Sequence, residues 1–435
     1  MTEARSRSQD PGAGSHRLAA HGKEWRKMMK ITEGGVTAAK GFEAAGAEAG
    51  IKYQNRKDMA LLYSKTPCVL AGTFTSNVVK AAPVLWDKNV VENAPFGQAV
   101  IVNAGIANAC TGKEGYEYCD RTAEKAAAVL GIPKESVLVA STGVIGMQLP
   151  IDRIEAGIEK LAGEKQDTLQ AGILAAEAIM TTDTRSKQAA AEIMIDGVKV
   201  TVGGMCKGSG MIHPNMCTML AFVTTDAAIS KELLTKAVKE DVVDTFNMVS
   251  VDGDTSTNDT LLVMANGMAG NREICEEDAA YEAFKEALHY VNESLAKMMA
   301  GDGEGATALI EAKVVGAATK DDARKLGKSV ICSSLTKAAI YGHDANWGRI
   351  LCALGYSGVS FEPEKLELYF ESKAGRILIY KDGVGADYSE EEAGRILSEP
   401  EVTILVDMKA GEESATAWGC DLTYDYVKIN ADYRS

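Results

Sequence analysis

Three features of this 435-residue sequence predict an α/β protein with mixed sheets packed between helices. Short apolar runs at 99–103 and 136–140 read as buried strands, and they are followed by helix-type spacing at Ile151, Ile154, Ile158 and Leu161. The stretch 193–202 is split by Asp196-Gly197, a dipeptide suited to a two-residue hairpin turn. Apolar residues then recur at intervals of three and four at Tyr281, Phe284, Leu288, Val291, Leu295 and Met298, the stripe of a long core-facing helix. Between these, Ser230 reads as the cap of a helix that runs through Phe246. From Leu366 onward, alternating strands such as 367–370 and 402–406 dominate a smaller C-terminal α/β part. No G-x-G-x-x-G follows a strand and there is no Walker A motif, so a nucleotide-binding fold has no support.

An apolar content of 46% can bury a substantial core, and the length suggests roughly two to three structural units. The net charge of -15 argues against a nucleic-acid partner, which calls for a basic face. Nothing approaches the ~18 continuous apolar residues of a membrane span. Nine cysteines, an odd number without a C-x-x-C pair, point to neither a disulfide framework nor a zinc site, and a reducing cytoplasm is the expected location. Residues 1–30, rich in Ser, Gly, Arg and Lys with no apolar segment, read as a disordered extension, with Met28 or Met29 as an alternative start. Glu3, Asp10 and Glu24 count against a transit peptide.

The most informative site is the Cys217-Thr218 bond, approached by Lys207-Gly-Ser-Gly-Met211 and Pro214-Asn-Met216 and followed by an apolar strand pattern. A threonine hydroxyl is a poor nucleophile without a base beside it. An N-terminal threonine carries its own base, an α-amine with a pKa of about 8. Breakage between Cys217 and Thr218 would therefore create nucleophile and base in one residue. By itself Thr218 reads as an ordinary strand residue. Gly208, Gly210 and Pro214, however, suit a constrained loop of the kind that can hold a strained peptide.

The blocks Lys207 to Met211 and Pro214 to Leu220 are joined in order by others: Ile31 to Phe42, Val102 to Gly112, Ser141 to Gly146, Asp252 to Asp259, Gly301 to Thr307 and His343 to Arg349. Over nearly all of the chain after residue 30, this set resembles the autoproteolytic ornithine acetyltransferase family of arginine biosynthesis. Two positions depart from the family's habit: Cys217 stands where Ala is common, and Ser435 ends the chain where Thr is common. The resemblance implies a mixed-sheet α/β sandwich of the N-terminal-nucleophile-like type. It further implies an α fragment (31–217), a β fragment (218–435) with a strand-rich part at 366–435, and assembly of two copies of each.

Acyl transfer between amines passes through oxyanions that need two hydrogen-bond donors. Thr142 and Gly143 follow the apolar run 137–140; read alone they make a plain turn, and the resemblance implies the oxyanion hole. Lys207 is the candidate cation for a substrate carboxylate, against the reading of a surface lysine. Glu304, flanked by Gly303 and Gly305, is the candidate anion for an ammonium, against a solvated loop acid. The resemblance carries substrate binding onto Thr181 (or its neighbour Thr182), Lys207, Thr218, Glu304, Asn430 and Ser435. Asp252, Asp254 and Asp259 lack the Gly and terminal Glu of a calcium loop and read as structural or site-supporting acids. His213 and His343 have no triad spacing.

The expected enzyme moves the acetyl group of N2-acetylornithine to glutamate, with no bound cofactor or metal, and with acetyl-CoA as a second donor if it is bifunctional. Two other classes stay open: an N-terminal-nucleophile aminopeptidase or amidase, and an uncleaved, non-catalytic binding protein.

Overall fold

The computed structural model describes residues 29–213 and 219–432. Along the chain the strands are β1 (Lys30–Thr32), β2 (Phe42–Ala47), β3 (Met59–Phe74), β4 (Gly97–Ile106), β5 (Val137–Val144), β6 (Lys187–Ile195), β7 (Val198–Lys207), β8 (Leu220–Thr225), β9 (Val249–Ser250) and β10 (Thr260–Ala265). They continue with β11 (Leu309–Ala317), β12 (Glu367–Ser372), β13 (Gly375–Lys381), β14 (Val384–Gly385), β15 (Glu401–Asp407) and β16 (Glu413–Cys420). The first sheet runs β1-β6-β7-β8-β10-β3-β4-β5, with β2 also paired to β3. The second runs β14-β13-β12-β15-β11-β16-β9. Both are mixed: β8 with β10, β4 with β5, β11 with β15 and β16 with β9 are parallel, and the remaining pairs antiparallel.

Local chemistry explains most elements. Asp196 and Gly197 take φ of 49° and 82°, the left-handed pair that a two-residue hairpin demands, and they join β6 to β7. Ile151, Ile154, Ile158 and Leu161 are all buried on the helix Ile151–Glu164. The stripe from Tyr281 becomes the helix Ala279–Ala300, N-capped by Asp278. This helix packs on β6 and β7 of the first sheet and on β9, β11 and β16 of the second, so its broad apolar surface joins the two sheets. Fully burying each of its Phe, Leu and Val side chains is worth about 1.5–3 kcal/mol.

Three expectations need correcting. Ser230 does cap its helix by accepting from the Leu233 N–H, but the helix ends at Asp244. Thr245, at φ -119° and ψ -97°, leaves the helical region, and a 3-10 turn takes over. The chain after Leu366 carries β12 to β16, as expected, but their sheet is not confined to it and also takes in β9 and β11. Lys30 is not outside the fold either: β1 pairs Lys30 with Glu192 of β6.

The helix Ala82–Asn93 anchors β5. Trp86 Nε1 donates to the Val137 carbonyl at 3.0 Å, and Asp87 Oδ1 accepts from the Val139 N–H at 2.7 Å. Asp87 is fully buried and its Oδ2 has no partner among the described residues. Burial pushes this carboxyl well above its usual range, with the Val139 N–H pulling the other way. The folded protein therefore keeps a proton that the unfolded chain loses near pH 4, and this group costs stability as pH rises from there through the folded pKa. Asp87→Asn removes the titration. Its melting temperature is expected to gain on the native protein as pH rises above the unfolded value of about 4, and parallel melting curves would contradict the assignment.

Candidate active site

One cavity of about 270 Å³ gathers residues from eight segments, one of them Ala107 just after β4. Thr142 and Gly143 come from the end of β5, Thr181 and Thr182 from the loop before β6, and Lys207 and Gly210 from the end of β7. Met219 precedes and Leu220 opens β8, Ser256 to Asp259 precede β10, and Glu304 follows the helix Ala279–Ala300. Asn430 reaches in from the last helix, Tyr424–Ala431. Six of the expected site residues, Thr142, Gly143, Thr181, Lys207, Glu304 and Asn430, thus share one space, as does Thr182. Cys217, Thr218 and Ser435 lie outside the described residues, although Met219, bonded to Thr218, is on the cavity wall.

The wall at Thr142 and Gly143 is the end of a paired strand. Gly143 has φ +129°, and a Cβ there would come within 2.2 Å of the Gly105 carbonyl carbon and 2.4 Å of its oxygen, so only glycine fits. Asn258 Nδ2 clamps this corner by donating to the carbonyls of Ala107 at 2.6 Å and Ser141 at 2.8 Å. Ser141 Oγ donates to Asn103 Oδ1 at 2.6 Å.

The two charged anchors are buried. Lys207 and Glu304 are each only 7% exposed, which removes the surface-lysine and solvated-acid readings. Glu304 Oε2 accepts from Asn430 Nδ2 at 2.8 Å, and the Glu304 N–H donates to the Ser209 carbonyl at 2.9 Å. Behind Lys207 stands a charge cluster. Lys187 Nζ donates to Asp183 Oδ1 at 2.7 Å and to Asp302 Oδ2 at 2.5 Å, with Lys187 and Asp183 side chains fully buried. Asp183 also accepts from the N–H groups of Thr181 at 3.0 Å and Gly208 at 2.7 Å. Asp302 takes the Thr184 N–H at 3.1 Å and the Thr184 hydroxyl, while its carbonyl accepts from Ser209 Oγ at 2.7 Å. Burial alone would push the Asp183 carboxyl up, but the charges of Lys207 and Lys187 and the Gly208 N–H outweigh it and hold the group well below the usual carboxylate range. Three loops are thereby tied together, carrying Thr181, Lys207 and Glu304.

The approach to the Cys217-Thr218 bond is constrained by a side chain rather than by glycine alone. Met211 sits at φ +55°, a left-handed conformation unusual for its type. Asp252 holds it there, accepting the Met211 N–H at 2.6 Å and the Ile212 N–H at 2.9 Å. Asp259 lines the cavity, and burial pushes its carboxyl well above the usual range. His213 lies against Ser250 Oγ at 3.1 Å and Cys332 Sγ at 3.5 Å, its imidazole lowered to about 4 by burial and by Lys328. Neither His213 nor His343 lines the cavity. Among the described residues no His, Cys, Asp and Glu side chains gather as a metal site.

The ArgJ family model matches residues 43–435. The chain belongs to the ArgJ family. A relative from Thermotoga neapolitana named arginine biosynthesis bifunctional protein ArgJ is 51% identical over 397 residues, covering 91% of this chain and 99% of its own. One from Clostridium acetobutylicum, arginine biosynthesis bifunctional protein ArgJ 1, is 53% identical over 402 residues, covering 92% and 97%. A solved structure of the Bacillus halodurans ArgJ protein is 47% identical, with a TM-score of 0.46, covering 48% of this chain and 97% of its own.

In and behind the wall of this ArgJ-family cavity, Asn258 and the buried Asp183, Lys187 and Asp302 were not singled out from sequence. Asp302 and Asn258 lie inside motif blocks, next to residues that were. Lys187 had a weaker signal, a charge beginning the apolar strand Lys187–Ile195. The arrangement makes Gly210 a test of Glu304: a Cβ at Gly210 would lie 2.3 Å from the Glu304 carboxyl carbon. Gly210→Ala should displace that carboxylate without unfolding the protein, raising KM for the amino-acid substrates about ten-fold or more, the scale of a lost charged hydrogen bond. Unchanged steady-state constants in the folded variant would remove Glu304 from the binding site.

Proposed function

We propose that this protein is an autoproteolytic acetyltransferase that moves the acetyl group of N2-acetyl-L-ornithine to L-glutamate in arginine biosynthesis. The observation that carries the reading is one small cavity holding a buried cation, Lys207, a buried anion, Glu304, and the Thr142-Gly143 corner beside Met219, the residue after Thr218. A zwitterionic amino acid needs both charges. Membership of the ArgJ family and relatives of about half identity over nearly the whole chain supply the pathway.

In the proposed sequence, Thr218 Oγ attacks the Cys217 carbonyl and the peptide nitrogen leaves as the Thr218 α-amine; water then hydrolyses the resulting ester, freeing the Thr218 hydroxyl and a carboxylate at Cys217. That amine then takes the Oγ proton as Oγ attacks the acetyl carbonyl of the donor. Thr142 and Gly143 stabilise the oxyanion, and the proton passes to the departing α-amine of ornithine. Glutamate attacks the acetyl-threonine ester and leaves as N-acetylglutamate. Thr181, Lys207, Glu304, Asn430 and Ser435 bind the amino-acid portions, and the name bifunctional borne by the relatives supports acetyl-CoA as a second donor. The reaction is assigned to the cytoplasm; no helix among the described residues is long and apolar enough to cross a membrane.

The α and β fragments would stay together after cleavage. β8 is hydrogen-bonded to β7 on one edge and β10 on the other, and β10 pairs with β3, so two adjacent strands from after the cut are flanked on both sides by strands from before it. Assembly of two α and two β fragments completes the proposal.

Intact mass under denaturing conditions should give two chains meeting at Cys217 and Thr218, and Thr218→Ala should give one chain without activity. Full-length native protein with full activity would overturn the mechanism. Incubation with donor alone should leave one acetyl group on the Thr218 fragment, and double-reciprocal plots should be parallel. Release of acetate at the same rate without glutamate would make the enzyme an amidase instead. Thr142→Ala should lower kcat by about 10² to 10³ if its side chain donates to the oxyanion.

A further inference from the structure

A buried ammonium with a carboxylate beside it would ordinarily close onto that carboxylate, since an unpaired charge is costly out of water. Lys207 does not. Its Nζ stays 3.9 Å from Asp183 Oδ2, beyond hydrogen-bond reach, and its side chain lines the cavity. Asp183 is already satisfied, by Lys187 at 2.7 Å and by the N–H groups of Thr181 and Gly208. Lys187 lies outside the cavity and is wholly buried, and it spans Asp183 and Asp302. Two carboxylates and two ammonium groups make a neutral set. In it Lys187 carries the direct contacts, and among the described residues Lys207 has only the 3.9 Å approach to Asp183.

We infer that Lys187 is a positioning residue for substrate binding: by occupying Asp183 and Asp302 it leaves the Lys207 ammonium unclaimed, facing the cavity, to take the carboxylate of an α-amino acid. This rests on the cavity being the substrate site. Without Lys187, Asp183 becomes a buried carboxylate in need of a cation, and the nearest is Lys207, which moves by about 1 Å to an ordinary charged hydrogen bond. The lysine that should meet the substrate is then spent on the protein.

The consequence is a pattern that simple loss of packing does not produce. In the full-length enzyme, Lys187→Met should raise KM for glutamate and N-acetylornithine about ten- to hundred-fold, the scale of one charged hydrogen bond, with kcat changed much less. Adding Asp183→Asn removes the carboxylate that captures Lys207, so the double variant should recover most of the lost affinity. Lys187→Met combined with Asp302→Asn restores the same charge balance but leaves Asp183 in place, and should stay impaired. If the Asp183 double variant is no better than Lys187→Met, or both doubles recover equally, the inference fails.

Should Lys187→Met not fold, the native enzyme still decides. Cyanate should carbamoylate Lys207 and not Lys187, read by peptide mass, with glutamate protecting Lys207; a Lys207 inert to cyanate would overturn the inference. Native enzyme that transfers acetyl groups while glutamate leaves Lys207 unprotected would sink the cavity assignment itself. Active native enzyme with Lys187→Met constants unchanged would sink only the role of Lys187.

Discussion

The hydrogen bonding of β8 on both of its edges is the constraint on which the site depends. Its first residue, Leu220, is held between the end of β7 and the start of β10, and just before it the Met219 carbonyl accepts from the Thr260 N–H at 2.8 Å. A strand with two partners cannot shift by one residue without turning its side chains to the opposite face and breaking both ladders. The chain entering β8 therefore arrives at one place, between Lys207 on one side and Asn258 and Asp259 on the other. The same ladders bind the segments before and after residue 217 into a single sheet.

Around this ladder, the cavity is built by loops that ion pairs and hydrogen bonds hold in position. The Asp183–Lys187–Asp302 cluster ties the loops of Thr181, Lys207 and Glu304, and Asn258 ties the corner of Ser141 to the turn at Ala107. Such a cluster is costly to desolvate and adds little net stability. Its value lies in geometry, because a charge held by several fixed partners does not wander when a substrate arrives. Asn430 supplies a different kind of contact. It reaches Glu304 from a helix with no buried residue of its own, so this wall of the cavity is lightly held.

Elements whose cause is local were legible in the sequence. The Asp196-Gly197 hairpin, the Ser230 cap, the helix Ile151–Glu164 and the stripe of Ala279–Ala300 each follow from dihedral preference or spacing within a few residues. Where the reading missed, the cause was distant. The helix after Ser230 stops at Asp244 although its apolar spacing continues, and β11 joins the C-terminal sheet across nearly a hundred residues by pairing with β15 and β16. A boundary at Leu366 could not anticipate that pairing.

The sequence by itself determined the α/β class, the motif blocks and the chemical types of the site: a hydroxyl at Thr218, a cation at Lys207, an anion at Glu304 and a glycine at Gly143. Each is a property of one residue and its immediate neighbours. Only the tertiary structure decided that Lys207 and Glu304 are buried in the same cavity, that Asn430 meets Glu304, and that Lys187 rather than Lys207 takes the direct contact with Asp183. Those outcomes depend on which cation lies nearer a carboxylate by about an ångström, a distance set by strand pairing and loop packing that no local pattern encodes.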